Sequence, residues 1–129
     1  MNYANFDYST PKQIVITFEA FEPTPAQFED YLSQMVATYN NHSGFYLIFD
    51  ATKSMYLPAS LRIRQGVWVK ENSEMIKKQC KSMIFILPGQ LTRILYKAII
   101  LVSPMPVPSY TTSTREEAIA KANELAAKA

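Results

Sequence analysis

The chain has 129 residues, of which 48% are hydrophobic and 19% charged, with a formal net charge of +2 and a single cysteine. This composition excludes an intrinsically disordered chain, and the length argues against several domains, so we expect one domain over residues 1–129. A lone Cys80 cannot form an internal disulfide, and the first eight residues lack the basic and apolar regions of a signal peptide. Both features predict a cytoplasmic protein.

The charge is distributed unevenly along the chain. Residues 1–52 contain six acidic side chains and one lysine, whereas residues 53–97 contain nine basic side chains and two acidic ones. Such asymmetry can indicate an anionic partner. Because no run of like charge exceeds two residues, we favour the interpretation that these side chains coat solvent faces and neutralise one another after folding.

The first third of the chain predicts a hairpin and then an amphipathic helix. Residues 6–8 and 13–19 have strand character on either side of a turn, and apolar residues alternate in the second strand. Thr24, Pro25 and Gln27 have the spacing of a capping box with proline at the first helical position. The predicted apolar stripe of this helix comprises Phe28, Leu32, Met35, Val36 and Tyr39.

The centre of the chain predicts two buried strands separated by a helical region. Residues 45–50 and 82–87 are continuous apolar runs, as expected for parallel strands that are covered on both faces. A loop leads from Asp50 into helical sequence over residues 59–80, with a bend or a second helix start expected at Gly66 or near Asn72. Sites in open α/β sheets lie at the carboxyl ends of such strands, so we expect the site to follow Asp50.

The last third predicts a helix over residues 91–103, a proline-rich crossing, an edge strand over residues 107–112 and a final helix. Ser113 or Thr114 would cap that helix, because a glutamate lies three residues beyond each. Its predicted buried face comprises Ala118, Ile119, Ala122, Leu125 and Ala126.

The predicted element order is β-β-α-β-α-β-α-β-α. Strands and helices that alternate in this way imply an α/β fold with a mostly parallel sheet and right-handed crossovers. We therefore expect a sheet of four or five strands with about four helices.

Five short stretches follow the pattern of a known domain family. They are Leu-Ile-Phe-Asp at 47–50, Trp-Val-Lys-Glu-Asn at 68–72, Ile-Phe-Ile-Leu-Pro at 84–88, Pro-Val-Pro at 106–108 and Thr-Arg-Glu-Glu-Ala at 114–118. With the element order, they resemble the STAS domain of anti-sigma-factor antagonists, and more closely the SpoIIAA-like proteins, over about residues 12–127. The resemblance implies a regulatory protein-interaction module.

Ser60 is the candidate phosphorylation site that this resemblance implies. In the antagonist family, a serine in an Asp-Ser-Ser-Gly motif at the start of the second helix is phosphorylated. The corresponding stretch here is Pro-Ala-Ser-Leu at 58–61, so only Ser60 keeps its hydroxyl. The favoured alternative is that Ser60 caps the helix or lies in its exposed first turn.

The residues for catalysis or metal binding are scarce. One histidine and one cysteine cannot supply a zinc site, and three distant glycines cannot form a phosphate-binding loop. We interpret His42 as a surface loop residue and Cys80 as a small buried side chain, with a thiolate activated by Lys81 as the alternative. Asp50 has no neighbouring histidine and is interpreted as a hydrogen-bond acceptor that organises its loop. We therefore expect no enzyme, no metal and no cofactor.

The first functional hypothesis is a regulatory module that binds another protein through the loop and helix start after the central strand. Aromatic, methionine and arginine side chains there would supply contact area and orientation. The predicted partner-binding residues are Asp50, Thr52, Lys53, Ser54, Met55, Tyr56, Ser60, Arg62 and Arg64. The alternative is that Met55 and Tyr56 simply join the core.

The second hypothesis is a protein that binds a small hydrophobic ligand or an anionic membrane surface. Basic residues beside apolar ones on the 91–103 helix favour it; the candidate residues are Arg93, Tyr96, Lys97, Ile100 and Leu101. The alternative is that this helix is buried between the sheet and either the final helix or the second subunit of a homodimer. An open surface at 51–61, or a closed pocket lined by Met55, Tyr56 and Trp68, is the observation that separates the hypotheses. Nucleic-acid binding is not indicated, because no base-reading element accompanies the basic residues.

Overall fold

The structure is a computed structural model that describes residues 2–53, 57–87, 89 and 105–128. The strands within these ranges are β1 (Ala4–Thr10), β2 (Gln13–Phe18), β3 (Phe45–Asp50), β4 (Cys80–Ile86) and β5 (Ser109–Thr112). The helices are α1 (Pro25–Asn41), α2 (Ala59–Glu71), α3 (Ser73–Gln79) and α4 (Arg115–Lys128). The helix predicted for residues 91–103 lies outside the described residues.

The five strands form one sheet in the order of the sequence, β1-β2-β3-β4-β5. β1 and β2 are antiparallel, and β2 to β5 are parallel. Because each parallel strand lies beside the one before it, right-handed crossovers place α1, α2 and α3 on one face of the sheet. α4 packs on the other face. The predicted α/β class with a mostly parallel sheet is confirmed, and the SpoIIAA-like assignment stays a prediction.

β3 is the middle strand, and all six of its residues are buried. Phe45, Leu47 and Phe49 face the larger core, which α1, α2 and α3 cover. Tyr46 and Ile48 face the smaller core under α4. A strand that is covered on both faces has no polar side, which is why its sequence is a continuous apolar run.

α1 begins as predicted. The Thr24 hydroxyl accepts a hydrogen bond from the Gln27 backbone N–H, and the Gln27 side chain accepts one from the Thr24 N–H, with Pro25 at the first helical position. The predicted stripe is buried except for Val36, which is partly buried. Beyond α1, Gly44 has a φ of +63°, a left-handed conformation in which glycine has no Cβ to clash.

The bend predicted in the second helical region is confirmed at Asn72, whose side-chain amide donates to the Trp68 carbonyl between α2 and α3. Gly66, the other predicted position, lies inside α2 and does not interrupt it. Of the two alternatives given for Ser60, the structure has the exposed first turn of α2. Pro58 occupies the cap position without a side-chain hydrogen bond, and Ser60 comes two positions after it.

α4 is capped by Thr114, whose hydroxyl accepts from the Glu117 backbone N–H. Its contact with the sheet is narrower than predicted. Ala118 and Ala122 are fully buried and Leu125 is partly buried. Ile119 and Ala126 were predicted to be buried but are exposed, because two alanines one turn apart bring only a thin strip of the helix against the sheet.

Candidate functional site

Asp50 ends the central strand and organises the loop that follows it. One carboxylate oxygen accepts hydrogen bonds from both the backbone N–H and the hydroxyl of Thr52. Only 8% of Asp50 is exposed. This arrangement is the loop-organising role that the sequence predicted.

The second carboxylate oxygen of Asp50 binds Arg115 at the start of α4, at a distance of 2.9 Å from Nη2. Arg115 also donates to the Thr17 hydroxyl on β2. The contact therefore ties the last helix to the carboxyl ends of two strands. Sequence reasoning missed it, because no local pattern links residues 65 positions apart.

The surroundings of Asp50 favour its charged form. Burial alone would raise the pKa of this carboxyl, but the hydrogen bonds from Thr52 and the Arg115 guanidinium outweigh burial and hold the pKa below its ordinary value of 3.8. Asp50 is thus a stable carboxylate in an internal ion pair. A proton donor at neutral pH would need a raised pKa, so this geometry suits an anchor better than a general acid.

On the opposite face of the sheet, the carboxyl ends of the strands border a cavity of about 170 Å³. β2, β3 and β4 form its floor, α1 and α2 form its walls, and residues just before β1, α2 and β5 complete its described lining. The described lining residues are Tyr3, Phe18, Tyr31, Leu32, Met35, Phe49, Ala51, Leu57, Gln65, Trp68, Val69, Met83, Phe85 and Met105. None of these carries a formal charge at neutral pH, so the cavity suits an apolar, uncharged occupant.

The floor of the cavity contains three phenylalanines on three neighbouring strands. The rings of Phe49 and Phe85 are stacked with their centroids 4.8 Å apart and their planes within 10°. Phe18 lies parallel to Phe49 on its other side, with centroids 6.2 Å apart. The register of β3 and β4 pairs Phe49 with Phe85 directly, which fixes this row of rings as part of the sheet.

The wall helices α1 and α2 are joined by an ion pair. Arg64 donates two hydrogen bonds to the Glu29 carboxylate, from Nε at 2.7 Å and from Nη2 at 3.0 Å. A longer contact of 3.8 Å joins Arg64 to Glu71. The hydrogen bond from Arg64 lowers the pKa of Glu29, so the pair is charged at neutral pH. Arg64 was predicted to bind a partner, but here its guanidinium is engaged within the chain.

The other predicted partner-binding residues are divided by the structure. Thr52, Lys53, Ser60 and Arg62 are exposed. Ser54, Met55 and Tyr56 lie outside the described residues, as do all five lipid-surface candidates. Leu57, which follows them directly, lines the cavity rather than an open surface. Their role in binding stays a prediction.

An exposed apolar pair on α2 was missed by the sequence analysis. Ile63 is 68% exposed and Val67, one turn later, is 46% exposed. The buried residues Leu61 and Trp68 occupy the opposite side of the same helix. Two large apolar side chains spaced four apart, on the side of the helix away from Leu61 and Trp68, were the available signal.

The single histidine and cysteine lie where the sequence predicted. His42 is exposed and stacks on Tyr8 with ring centroids 4.9 Å apart. Cys80 is buried, and burial raises the pKa of its thiol to about 12, so it is neither ionised nor accessible. In the described ranges no group of acidic, histidine or cysteine side chains could hold a metal ion, and no helix there is long and apolar enough to cross a membrane.

Comparison of the sequence with protein families and with curated proteins identified no relative of this chain. No protein-family model matches the chain, and no curated protein has significant sequence similarity to it. The resemblance to the STAS domain accordingly stays a prediction.

Proposed function

We propose that this protein is a non-catalytic binding domain that holds a small apolar molecule in the cavity between α1, α2 and the sheet. The observation that carries the proposal is a cavity of about 170 Å³ whose described lining is uncharged and largely aromatic or thioether in character. Ligand sites of this kind are concave and mostly apolar, with few polar groups. The position at the carboxyl ends of parallel strands is also usual for ligand sites in α/β sheets.

The size of the cavity sets the size of the ligand and the affinity to expect. An engineered cavity of about 150 Å³ in another protein binds benzene, so this one suits a single ring or a small fused pair. Burying about 200 Å² of apolar ligand surface contributes about 5 kcal/mol, which corresponds to a dissociation constant of about 0.2 mM. Titrations should therefore extend into the millimolar range.

Binding can be tested with benzyl alcohol and cyclohexylmethanol, two neutral ligands with the same number of heavy atoms. We expect at least one of them to shift the NMR signals of cavity residues with a dissociation constant near or below a millimolar. Ala51 lines the cavity and is partly exposed, so Ala51→Phe should fill part of the cavity and weaken binding about tenfold or more. Ala37→Phe, on the exposed side of α1, is the matched control and should bind like the wild type.

Two outcomes of this binding experiment would contradict the proposal. If neither alcohol binds at concentrations ten times above the expected constant, the cavity does not accept apolar ligands. Binding that is the same in Ala51→Phe and wild type would place the ligand elsewhere on the molecule.

A second candidate function is the regulatory protein-binding role. The specific observation in its favour is the exposed pair Ile63 and Val67, since large apolar side chains in an exposed patch often mark interaction sites. Ser60 is exposed one turn before Ile63, where an added phosphate would lie near the positive end of the α2 dipole. The partner would be another protein or a second copy of this chain.

This role is tested by comparing wild type with Ile63→Glu. Analytical ultracentrifugation detects self-association, and affinity capture detects another partner; either interaction should be lost in the variant. Ser33→Glu, which adds a charge to the exposed side of α1, is the control and should keep the interaction. A partner that is retained by Ile63→Glu would assign the interaction to a different surface.

A further inference from the structure

The row of phenylalanines determines which partial charges the cavity floor presents to a ligand. Phe49 lies between Phe18 and Phe85 with near-parallel ring planes, and the two centroids are 6.2 and 4.8 Å from its own. The Phe85 ring, at about the spacing of neighbouring strands, covers one face of Phe49 and sets the ring planes across the sheet. What Phe49 offers to the cavity above the sheet is the edge of its ring.

Ring edges and ring faces carry opposite partial charges. The π face of an aromatic ring is electronegative and its C–H edge is electropositive, so aromatic pairs prefer an edge against a face. A floor made of parallel, upright rings presents a strip of electropositive C–H groups. An aromatic ligand that lies flat on this strip meets it in an edge-to-face arrangement, whereas a saturated ring gains only dispersion and burial.

The thioethers around the cavity act in the same direction. Met35 on α1, Met83 on β4 and Met105 before β5 all belong to the described lining. Methionine sulfur makes favourable contacts with aromatic rings and adapts its shape to them. One thioether on a wall, one on the floor and one before β5 are therefore available to contact a flat aromatic ring.

The cavity lining offers a ligand few polar side chains for hydrogen bonding. Gln65 on α2 is the one side-chain amide among the described lining residues, and an amide can both donate and accept a hydrogen bond. A ligand with one neutral hydroxyl or carbonyl group satisfies it. A charged group would be left unpaired, because none of the described lining residues is charged at neutral pH.

We infer that the cavity selects neutral aromatic molecules of one or two rings over saturated molecules of the same size. The inference rests on the proposed ligand-binding function and names its ligand class. The aromatic ring lies with its face on the edges of Phe18, Phe49 and Phe85, and its single polar group points to Gln65.

The test compares benzyl alcohol with cyclohexylmethanol, which differ only in the saturation of the ring. The association constant of each alcohol, the reciprocal of its dissociation constant, is divided by the partition coefficient of that alcohol from water to an alkane, which removes the difference in general hydrophobicity. On this scale, benzyl alcohol should be favoured about two- to tenfold, the range expected for edge-to-face pairs. In wild type, its binding should also move the ring-proton signals of Phe49 and Phe85 upfield, because those protons lie over its π face.

One substitution tests the contribution of the phenylalanine row to the aromatic preference. Phe85→Leu removes the partly buried ring at one end of the row and should lower the aromatic preference by half or more. Phe6→Leu is the matched control, because Phe6 is also partly buried against the same core but does not appear in the cavity lining. The control should keep the preference.

The outcomes separate the inference from the function on which it rests. If both alcohols bind in proportion to their hydrophobicity, without upfield shifts of the phenylalanine ring protons, aromatic selection is wrong while ligand binding stands. If neither alcohol binds, both proposals fail. The ring-proton shifts are measured on wild type, so the test does not depend on the folding of Phe85→Leu.

Discussion

At the scale of single residues, Asp50 connects two parts of the chain that the sequence keeps far apart. One of its oxygens fixes the loop at Thr52, and the other binds Arg115 at the start of α4. Its place at the end of a buried strand made the first contact predictable, because a short carboxylate there commonly accepts from the backbone two residues on. The second contact depends on tertiary structure and could not be predicted.

The ion pair of Asp50 predicts how stability depends on pH. The pKa of Asp50 is lower in the folded protein than in the unfolded chain, so its contribution is complete above about pH 4 and is lost as pH falls through the folded pKa. Asp50→Asn should therefore lower the unfolding free energy at pH 7 by about 1–2 kcal/mol, a range reduced by the partial exposure of Arg115. At pH 2 the difference should be much smaller.

The measurement is urea denaturation of wild type and Asp50→Asn across this pH range. Asp30→Asn, on the exposed side of α1, serves as the control and should change stability little at either pH. A stability difference at pH 2 as large as that at pH 7 would show that the carboxylate charge is not the source of the effect.

At the scale of elements, the two helices that wall the cavity begin in different ways. α1 starts with a complete capping box, whereas α2 starts at Pro58 with no side-chain hydrogen bond to its first turn. α2 is nevertheless joined to α1 by the bidentate contact between Arg64 and Glu29. The first helix is thus stabilised locally, and the second relies more on its packing and on α1.

The capping box gives a second prediction. Thr24→Ala removes the side-chain acceptor for the Gln27 N–H and should lower the unfolding free energy by about 1 kcal/mol. Ser33→Ala, which removes an exposed hydroxyl from the middle of the same helix, should be neutral or slightly stabilising. Thermal and urea denaturation of both variants check this. Equal destabilisation by the two substitutions would contradict the capping role.

The predictions that succeeded at this scale were those that depend on neighbours in sequence. The capping box at Thr24, the limits of β3 and the bend at Asn72 all follow from residues within one or two turns. The burial expected for Ile119 failed because burial depends on how closely a helix approaches the sheet. Of the predicted buried face of α4, only Ala118 and Ala122 are fully buried, and the width of that contact cannot be obtained from periodicity alone.

At the scale of the whole molecule, the two faces of the sheet differ. Among the described helices, α1, α2 and α3 cover one face, where α1 and α2 wall the cavity, whereas α4 covers the other face through a narrow strip and the Arg115 contact. The sequence predicted a site after Asp50 but not the face on which a cavity would lie. The stacking of Phe49 on Phe85 arises from strand register, which pairs residues 36 positions apart and leaves no local pattern.

This asymmetry predicts an order of local stability. Backbone amides in the middle of β3 and β4, such as those of Ile48 and Ile84, are fully buried and should exchange with solvent most slowly. Amides of α4 should exchange faster, because that helix buries little apolar area. Native-state hydrogen exchange measured by NMR tests the order, and protection in α4 equal to that of β3 would contradict it.

The sequential strand order has a consequence for how the chain reaches its fold during synthesis. Each of β3, β4 and β5 pairs with the strand that precedes it in the sequence. The sheet can therefore add one strand at a time, from β2 towards β5, as the chain leaves the ribosome. Among the described strands, each of β1 to β4 pairs with the strand that follows it in the sequence. Arg115 follows β5 in the sequence, so α4 can bind Asp50 when all five described strands have already been synthesised.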